Sequence, residues 1–217
     1  MKSEQDCSIG AESTTPAVGV AASTPALEST AVQLPDDALI IIPMRNLVLF
    51  PGQIIPITVG RDRSVAAAQA AASSGRQVGI LLQRNPEAPE PTAEDLFQVG
   101  TVASILRYLT APDGSHHVIC QGDQRFRIIE FLSGYPFLTA RVERFGEAVV
   151  ASKEIEARLI QLKQRVAEVL AMLPQAPDEL GTAAQNITSG AVLVELVAGV
   201  MDLKPDEKQD VLETFDL

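Results

Sequence analysis

The chain has 217 residues, with 28 Asp and Glu against 17 Lys and Arg, which gives a formal net charge of -11. This length allows one large or two small domains, and the negative charge argues against binding to nucleic acid or an anionic membrane, because the field of the protein repels both. No apolar run reaches the roughly 18 residues that a membrane-spanning helix needs, and the N-terminus lacks the apolar core of a signal peptide, so we expect a cytoplasmic protein.

The first 37 residues are rich in Ala, Ser, Thr, Pro and Glu and have neither strand nor helix periodicity. Such a composition cannot bury enough apolar surface to offset its ordering entropy, so we predict a disordered tail over residues 1–37. Cys7 lies in this tail and Cys120 lies in a predicted strand. Two such cysteines do not make a disulfide framework, and we expect Cys120 to be a buried, inert thiol.

An apolar segment interrupted by proline and glycine follows the tail, and it runs from Leu39 to Arg61. Each proline removes a backbone donor and favours extended backbone in the residue before it, so no continuous helix passes through this segment. The predicted elements are a strand at Leu39–Pro43, an irregular connection at Arg45–Gly52 and a second strand at Ile54–Val59.

One helix and five further strands are predicted next. Arg61–Ser74 is rich in Ala and ends at Gly75, which suits the left-handed position after a helix. The strands that follow are separated by turns that contain Pro or Gly, including one at Gly122-Asp123. These strands are Gln77–Gln83, Gly100–Leu109, His116–Cys120, Gln124–Leu132 and Phe137–Val142. Together they predict a mostly antiparallel β barrel or pseudo-barrel over residues 38–146, with one inserted helix.

The period becomes helical in the remaining residues, 147–217, and we predict an α-helical subdomain there. Apolar residues recur at steps of three and four from Ile155 to Leu173. A weaker helix is predicted at Asp178–Ser189, and an almost entirely apolar one at Gly190–Met201, against which the first should pack. A last helix opens at Lys204-Pro205, and its uncapped end at Leu217 suggests that the structure continues.

No motif for nucleotide binding or hydrolysis occurs in the sequence. His116 and His117 are adjacent on a strand and would point to opposite faces, so we expect no shared metal. Arg125 and Arg127 lie on one strand face. They could clamp an anion, but a solvated face paired with an acid such as Glu143 is favoured. A small hydrolase built on these residues is disfavoured, because no nucleophile–base pair is evident.

Several large apolar side chains lie in the irregular connection, where polar residues are usual. They either cover the open end of the barrel, which is the favoured interpretation, or form an exposed patch. An exposed patch would bind extended or unfolded polypeptide. The candidate substrate-binding residues are Met44, Leu47, Leu49 and Phe50.

The segment from Leu39 to Arg61 resembles the opening of the N-terminal domain of the Lon family of ATP-dependent proteases. The matching residues there are Pro43-Met44-Arg45-Asn46, Val48, Phe50-Pro51-Gly52, Pro56 and Val59-Gly60-Arg61. Later matches are Gln83, Asn85-Pro86, Asp95-Leu96-Phe97, Val99–Ala103, Pro112-Asp113-Gly114, Gly122, Gln124-Arg125, Asp206–Gln209 and Leu212-Glu213. The resemblance covers the chain from Leu39 to Leu217.

The resemblance implies an α+β fold: a PUA-like, mostly antiparallel pseudo-barrel with one inserted helix, followed by an α-helical bundle. It implies a non-catalytic domain that recognises unfolded or damaged proteins for quality control and assembles with other Lon subunits into a hexamer. The family's ATPase module and Ser–Lys dyad lie downstream, so this chain alone should hydrolyse neither ATP nor peptides. We expect no cofactor or metal in it, whereas the full-length protein should use ATP and Mg.

The motif residues are expected to be structural rather than substrate-contacting. They are Pro43, Arg45, Asn46, Pro51, Gly52, Gly60, Arg61, Gly100, Gly122 and Arg125. The alternative function is that of a stand-alone Lon-domain protein, acting as an interaction or ligand-binding module, and the length of the gene would distinguish the two.

Overall fold

The computed structural model describes residues 34–35, 37–112, 114–146, 153–172 and 184–214. The described residues all belong to one compact unit. The predicted tail lies outside them except for residues 34, 35 and 37, and Cys7 lies outside as well. The first half of the predicted helix at Asp178–Ser189 falls outside, and in the second half residues 184–186 are helical.

Six strands form one mixed sheet. They are β1 (Ala38–Met44), β2 (Ile54–Val59), β3 (Val78–Leu82), β4 (Val99–Thr110), β5 (His116–Leu132) and β6 (Thr139–Phe145). The strand order is β2-β5-β4-β3-β1-β6, with a further pairing between β5 and β6. That pairing closes five strands into a ring and leaves β2 at the edge, on the first half of β5. The pairing of β1 with β3 is parallel, and the other pairings are antiparallel, as predicted for a mostly antiparallel sheet. The likeness to a PUA fold stays a prediction.

The predicted turn at Gly122-Asp123 is wrong, because β5 runs unbroken from His116 to Leu132. Gly122 is buried in this strand, opposite Ala103, and the next residue, Asp123, is an extra residue of β5 that has no partner in β4. A Cβ atom at Gly122 would lie 2.4 Å from the carbonyl oxygen of Phe50. The glycine therefore allows the backbone at Phe50 to approach β5 closely. In a sequence, a glycine that permits such an approach looks the same as a glycine that forms a turn.

One helix is inserted in the β part of the chain, as predicted. It is α1 (Asp62–Ser74), and Gly75 follows it in the left-handed conformation with φ of 65°. Its buried face consists of small residues, including Ala67, Ala68 and Ala71, which pack on the barrel core. The chain thus crosses from β2 to β3 through a helix. This crossover allows β3 to lie parallel to β1.

Three more helices follow the sheet: α2 (Lys153–Met172), α3 (Gly190–Val200) and α4 (Pro205–Glu213). As predicted, α2 packs against α3, with Leu162 and Val166 in one apolar cluster with Leu193. However, α3 and α4 also share an apolar cluster with the barrel, in which Ala198 and Leu212 join Val48 and Phe50. These two helices therefore pack on the barrel directly, and the predicted boundary between residues 146 and 147 stays a prediction.

Phe126 of β5 is buried in an apolar cluster that includes Leu39, Leu81 and Val102. Two glycines leave room for its ring. A Cβ atom on Gly100 would lie 2.9 Å from its ring and 2.4 Å from the carbonyl oxygen of Ile80, while Gly79 is equally crowded. The predicted structural role of Gly100 thus has a physical cause. Within the described ranges, none of the helices is both long and apolar enough to cross a membrane.

Candidate functional site

The connection between β1 and β2 covers one end of the barrel with its second half. Val48, Leu49 and Phe50 are buried. The Thr101 hydroxyl donates a hydrogen bond of 2.5 Å to the Leu49 carbonyl, which fixes the connection to β4. Leu49 and Phe50 were candidate substrate-binding residues, but they offer no surface to a ligand.

Gly122 fixes the next turn of the same connection to β5. The N–H of Gly52 donates to the Gly122 carbonyl over 3.0 Å, and the N–H of Gly122 donates to the Gln53 carbonyl over 2.8 Å. Gly52 adopts a φ of 75°, which favours glycine. These contacts hold the second half of the connection in place, and the structural role expected for its motif residues stays a prediction.

The first half of the connection stands at the surface, beside a cleft of about 610 Å³. Met44 and Leu47 are half-buried there, whereas Arg45 and Asn46 are exposed. The opposite wall is the junction between β2 and α1. The cleft is lined by Ile42, Pro43, Met44, Arg45, Asn46, Leu47, Thr58, Val59, Gly60, Arg61 and Ser64. Of the candidate substrate-binding residues, Met44 and Leu47 are therefore the two that a ligand could reach.

Arg61 lies at this junction and ties it to β1 and to the residue that follows β3. Its Nη1 donates to the Pro43 carbonyl over 3.2 Å, and its Nη2 donates to the Gln83 amide oxygen over 2.7 Å. Burial lowers the pKa of the Arg61 guanidinium, the nearby charge of Arg45 lowers it further, and Glu90 opposes both effects. Two positive charges are thus held close together at one cleft.

A second surface was not identified from the sequence. Five of the ten outward residues of β2 and of the adjoining parts of β5 and β4 are apolar, and three of these five are large side chains exposed to solvent; we call this surface the exposed apolar face. Ile54, Leu106 and Leu109 expose 58%, 52% and 46% of their area. Pro56 and Ile119 are opposite each other between them. The outward residues are Ile54, Pro56, Thr58, Ser104, Leu106, Arg107, Leu109, His117, Ile119 and Gln121, and they include no carboxylate.

The exposed apolar face adjoins the cleft. Thr58 lies on this face, paired with His117, and it also lines the cleft. The sequence signal was β2 itself, where nearly every position is apolar instead of alternate ones. Such a run is typical of a strand with two apolar faces, and one of those faces here is open to solvent.

Arg125 links the barrel to the helices rather than facing solvent as we expected. Its Nε and Nη2 donate to Glu195 Oε1 of α3 over 2.9 and 2.6 Å. Its Nη1 donates to the carbonyls of Leu212 and Thr214 at the end of α4. The two charged side chains expose only 11% and 6% of their area. The partner of Arg125 therefore comes from a helix, whereas Glu143 lies opposite Arg127.

The remaining reactive side chains have structural environments. Cys120 is fully buried, and burial raises the pKa of its thiol to about 11, in agreement with an inert thiol. His116 contacts the Tyr108 hydroxyl at 2.8 Å, and His117 contacts Ser115 at 3.0 Å. In the part of the chain that the structure describes, no cluster of three or more potential ligands could hold a metal ion.

Comparison with known proteins identifies the class of domain. The family model of the ATP-dependent protease La (LON) substrate-binding domain matches residues 38–217. The chain therefore belongs to the family of Lon substrate-binding domains. The Lon protease of Methylocella silvestris is 49% identical over 181 residues, which are 83% of this chain and 22% of that protein. The Lon protease of Paraburkholderia phytofirmans is 43% identical over 198 residues, which are 90% of this chain and 25% of that protein.

Two solved structures share the fold. The N-terminal domain of Mycobacterium avium complex Lon protease superposes with a TM-score of 0.67 at 24% identity, covering 82% of this chain and 91% of that one. A Lon N-terminal domain protein from Xanthomonas campestris gives a TM-score of 0.58 at 18% identity, with the same coverage of both chains. The chain thus corresponds to nearly all of each solved domain, but to a quarter or less of the Lon proteases named above.

Proposed function

We propose that this chain recognises protein substrates for a Lon-type protease by binding unfolded or damaged polypeptide on the exposed apolar face. The observation that carries the proposal is the exposure of Ile54 on β2 and of Leu106 and Leu109 on β4, the two strands that flank β5. Unfolded chains expose apolar side chains that folded proteins bury, so an open apolar surface distinguishes the two. Met44 and Leu47 would extend this surface into the cleft.

The wider role follows from the family and is part of the proposal. The complete protein would assemble with other Lon subunits into a hexamer in the cytoplasm, use ATP and Mg, and cleave substrates in quality control. This chain would contribute recognition and assembly without catalysis. The alternative is a stand-alone interaction or ligand-binding module, and the length of the gene would distinguish it from a domain of a complete Lon protease.

The proposal is tested by the affinity of the purified chain for one labelled protein in two states. Fluorescence anisotropy would compare a reduced, carboxymethylated protein that cannot fold with its native form. We expect the unfolded form to bind more tightly. The double variant Leu106→Ser/Leu109→Ser should weaken that binding by about fivefold to tenfold, because part of two leucine side chains would no longer be buried.

A matched control is available on α2. Ile160 and Val169 expose 58% and 46% of their area, close to the values for the two leucines. Ile160→Ser/Val169→Ser should leave the affinity within about twofold, the effect of a surface change away from the contact. Equal affinity for folded and unfolded protein would contradict the proposed function. Equal losses in the two variants would contradict the assignment to this face.

A further inference from the structure

The cleft beside the connection differs in charge from the rest of the molecule. The whole chain carries a formal charge of -11, yet the lining of the cleft contains Arg45, Arg61 and no Asp or Glu. Its other lining side chains are partly apolar, from Ile42, Met44 and Leu47, and partly polar and uncharged, from Asn46, Thr58 and Ser64. An acidic protein that keeps one cleft cationic and partly apolar offers a local site for an anion with an apolar neighbour.

The two arginines differ in how they are held. Arg61 is fixed by its bonds to Pro43 and Gln83, so its position is set before any ligand arrives. Arg45 is exposed, and it has no hydrogen bond or ion pair among the described residues. One fixed and one adjustable guanidinium at a single cleft can together hold a carboxylate, for which arginine has the matching geometry.

We propose that the cleft holds an Asp or Glu side chain of a bound extended polypeptide, while the adjoining exposed apolar face holds that segment's apolar side chains. This inference rests on the proposed function, since it assumes that polypeptide binds at these surfaces. Its occupant is an internal segment in which a carboxylate lies close to large apolar residues. Thr58, which belongs to both surfaces, marks where the two parts of such a segment would meet.

The test uses labelled peptides that share one apolar sequence and differ at a single position, which is Glu, Gln or Lys. Each peptide has blocked ends, so that no terminal charge contributes. We expect the Glu peptide to bind about threefold to fivefold more tightly than the Gln peptide, the range for one exposed ion pair. The preference should fall as salt is added, because exposed charges are screened.

Arg45→Gln should remove the preference for Glu over Gln without weakening the Gln peptide. Arg165 provides a matched control, since it is an exposed arginine on α2 that does not line the cleft. Arg165→Gln removes the same charge and should keep the preference. If both variants lose it equally, net charge is the cause and the cleft assignment fails.

Further measurements distinguish an acidic side chain from the other possible occupants of the cleft. Tighter binding of a Gln peptide with a free C-terminus would assign the cleft to chain ends and overturn the side-chain proposal. A salt-sensitive dimer that Arg45→Gln abolishes, measured by sedimentation, would assign the cleft to a second copy. If Glu and Gln peptides bind equally while unfolded protein still binds, this inference fails and the proposed function stands. If no unfolded protein binds, the proposed function itself fails.

Discussion

Replacing Arg125 by Ala should destabilise the fold strongly, because it leaves the buried Glu195 carboxylate without its guanidinium. The two side chains expose 11% and 6% of their area, so water cannot substitute freely for the lost charge. Removing one partner of a buried ion pair costs about 3–5 kcal/mol. At about 2–4 °C per kcal/mol for a domain of this size, the melting temperature should fall by about 6–20 °C.

A double variant isolates the charge contribution. Arg125→Met/Glu195→Leu removes both charges and keeps apolar volume, so it should recover more than half of the loss. It should not recover all of it, because the bonds from Arg125 to the Leu212 and Thr214 carbonyls are also gone. Urea unfolding of the wild type, Arg125→Met, Glu195→Leu and the double variant completes a double-mutant cycle for the pair.

Arg127 supplies the matched control two residues along the same strand. It is exposed, and its guanidinium lies over the Phe145 ring at 5.2 Å. Arg127→Ala should cost no more than about 1 kcal/mol. The reasoning is refuted if Arg125→Ala melts within about 2 °C of the wild type, a shift worth no more than about 1 kcal/mol. A double variant as unstable as Arg125→Ala would show that the carbonyl contacts, not the charge pair, carry the stability.

Two further predictions concern buried groups. Gly122→Ala should cost about 1–3 kcal/mol in urea unfolding, because its Cβ would lie 2.4 Å from the Phe50 carbonyl oxygen. Gly60→Ala, with no neighbouring atom within 4 Å, should change stability by less than about 0.5 kcal/mol, and equal costs would contradict this packing. The folded pKa of Cys120, raised to about 11, lies above its unfolded value. The resulting stability, about 2–3 kcal/mol, should be complete below about pH 8.5 and lost as the pH rises from about 9 to 11. Cys120→Ala should flatten this pH dependence of the urea midpoint, and an unchanged slope would exclude the thiol as its source.

Local patterns were sufficient to predict most elements, because the determinants of a strand, a helix or a cap are neighbours in sequence. The predicted bounds of β2 are the observed ones, and Gly75 ends α1 as expected. The failures involve residues whose partners are distant in sequence. Arg125 and Glu195 are 70 residues apart, so no local pattern links them. Gly122 was assigned to a turn because its crowding against Phe50 has no local trace.

The candidate site was predicted only in part for a similar reason. Apolar residues in the connection at Met44–Phe50 were recognised, but the sequence could not divide them between core and surface. That division depends on Thr101 and Gly122, which hold the second half of the connection against the barrel. The exposed apolar face could not be predicted from the sequence, because its residues come from three strands and only the observed register brings Pro56, Ile119 and Arg107 side by side.

The motif residues of the connection divide into two groups with different physical explanations. Phe50 is buried, and Gly52 has a positive φ, so the fold accounts for both. Arg45 and Asn46 are exposed, line the cleft and make no hydrogen bond or ion pair within the described ranges. Stability gives no reason for these two side chains, in contrast to our expectation that all motif residues are structural. Contact with a ligand at the cleft does give a reason, which makes Arg45 the more informative residue to change.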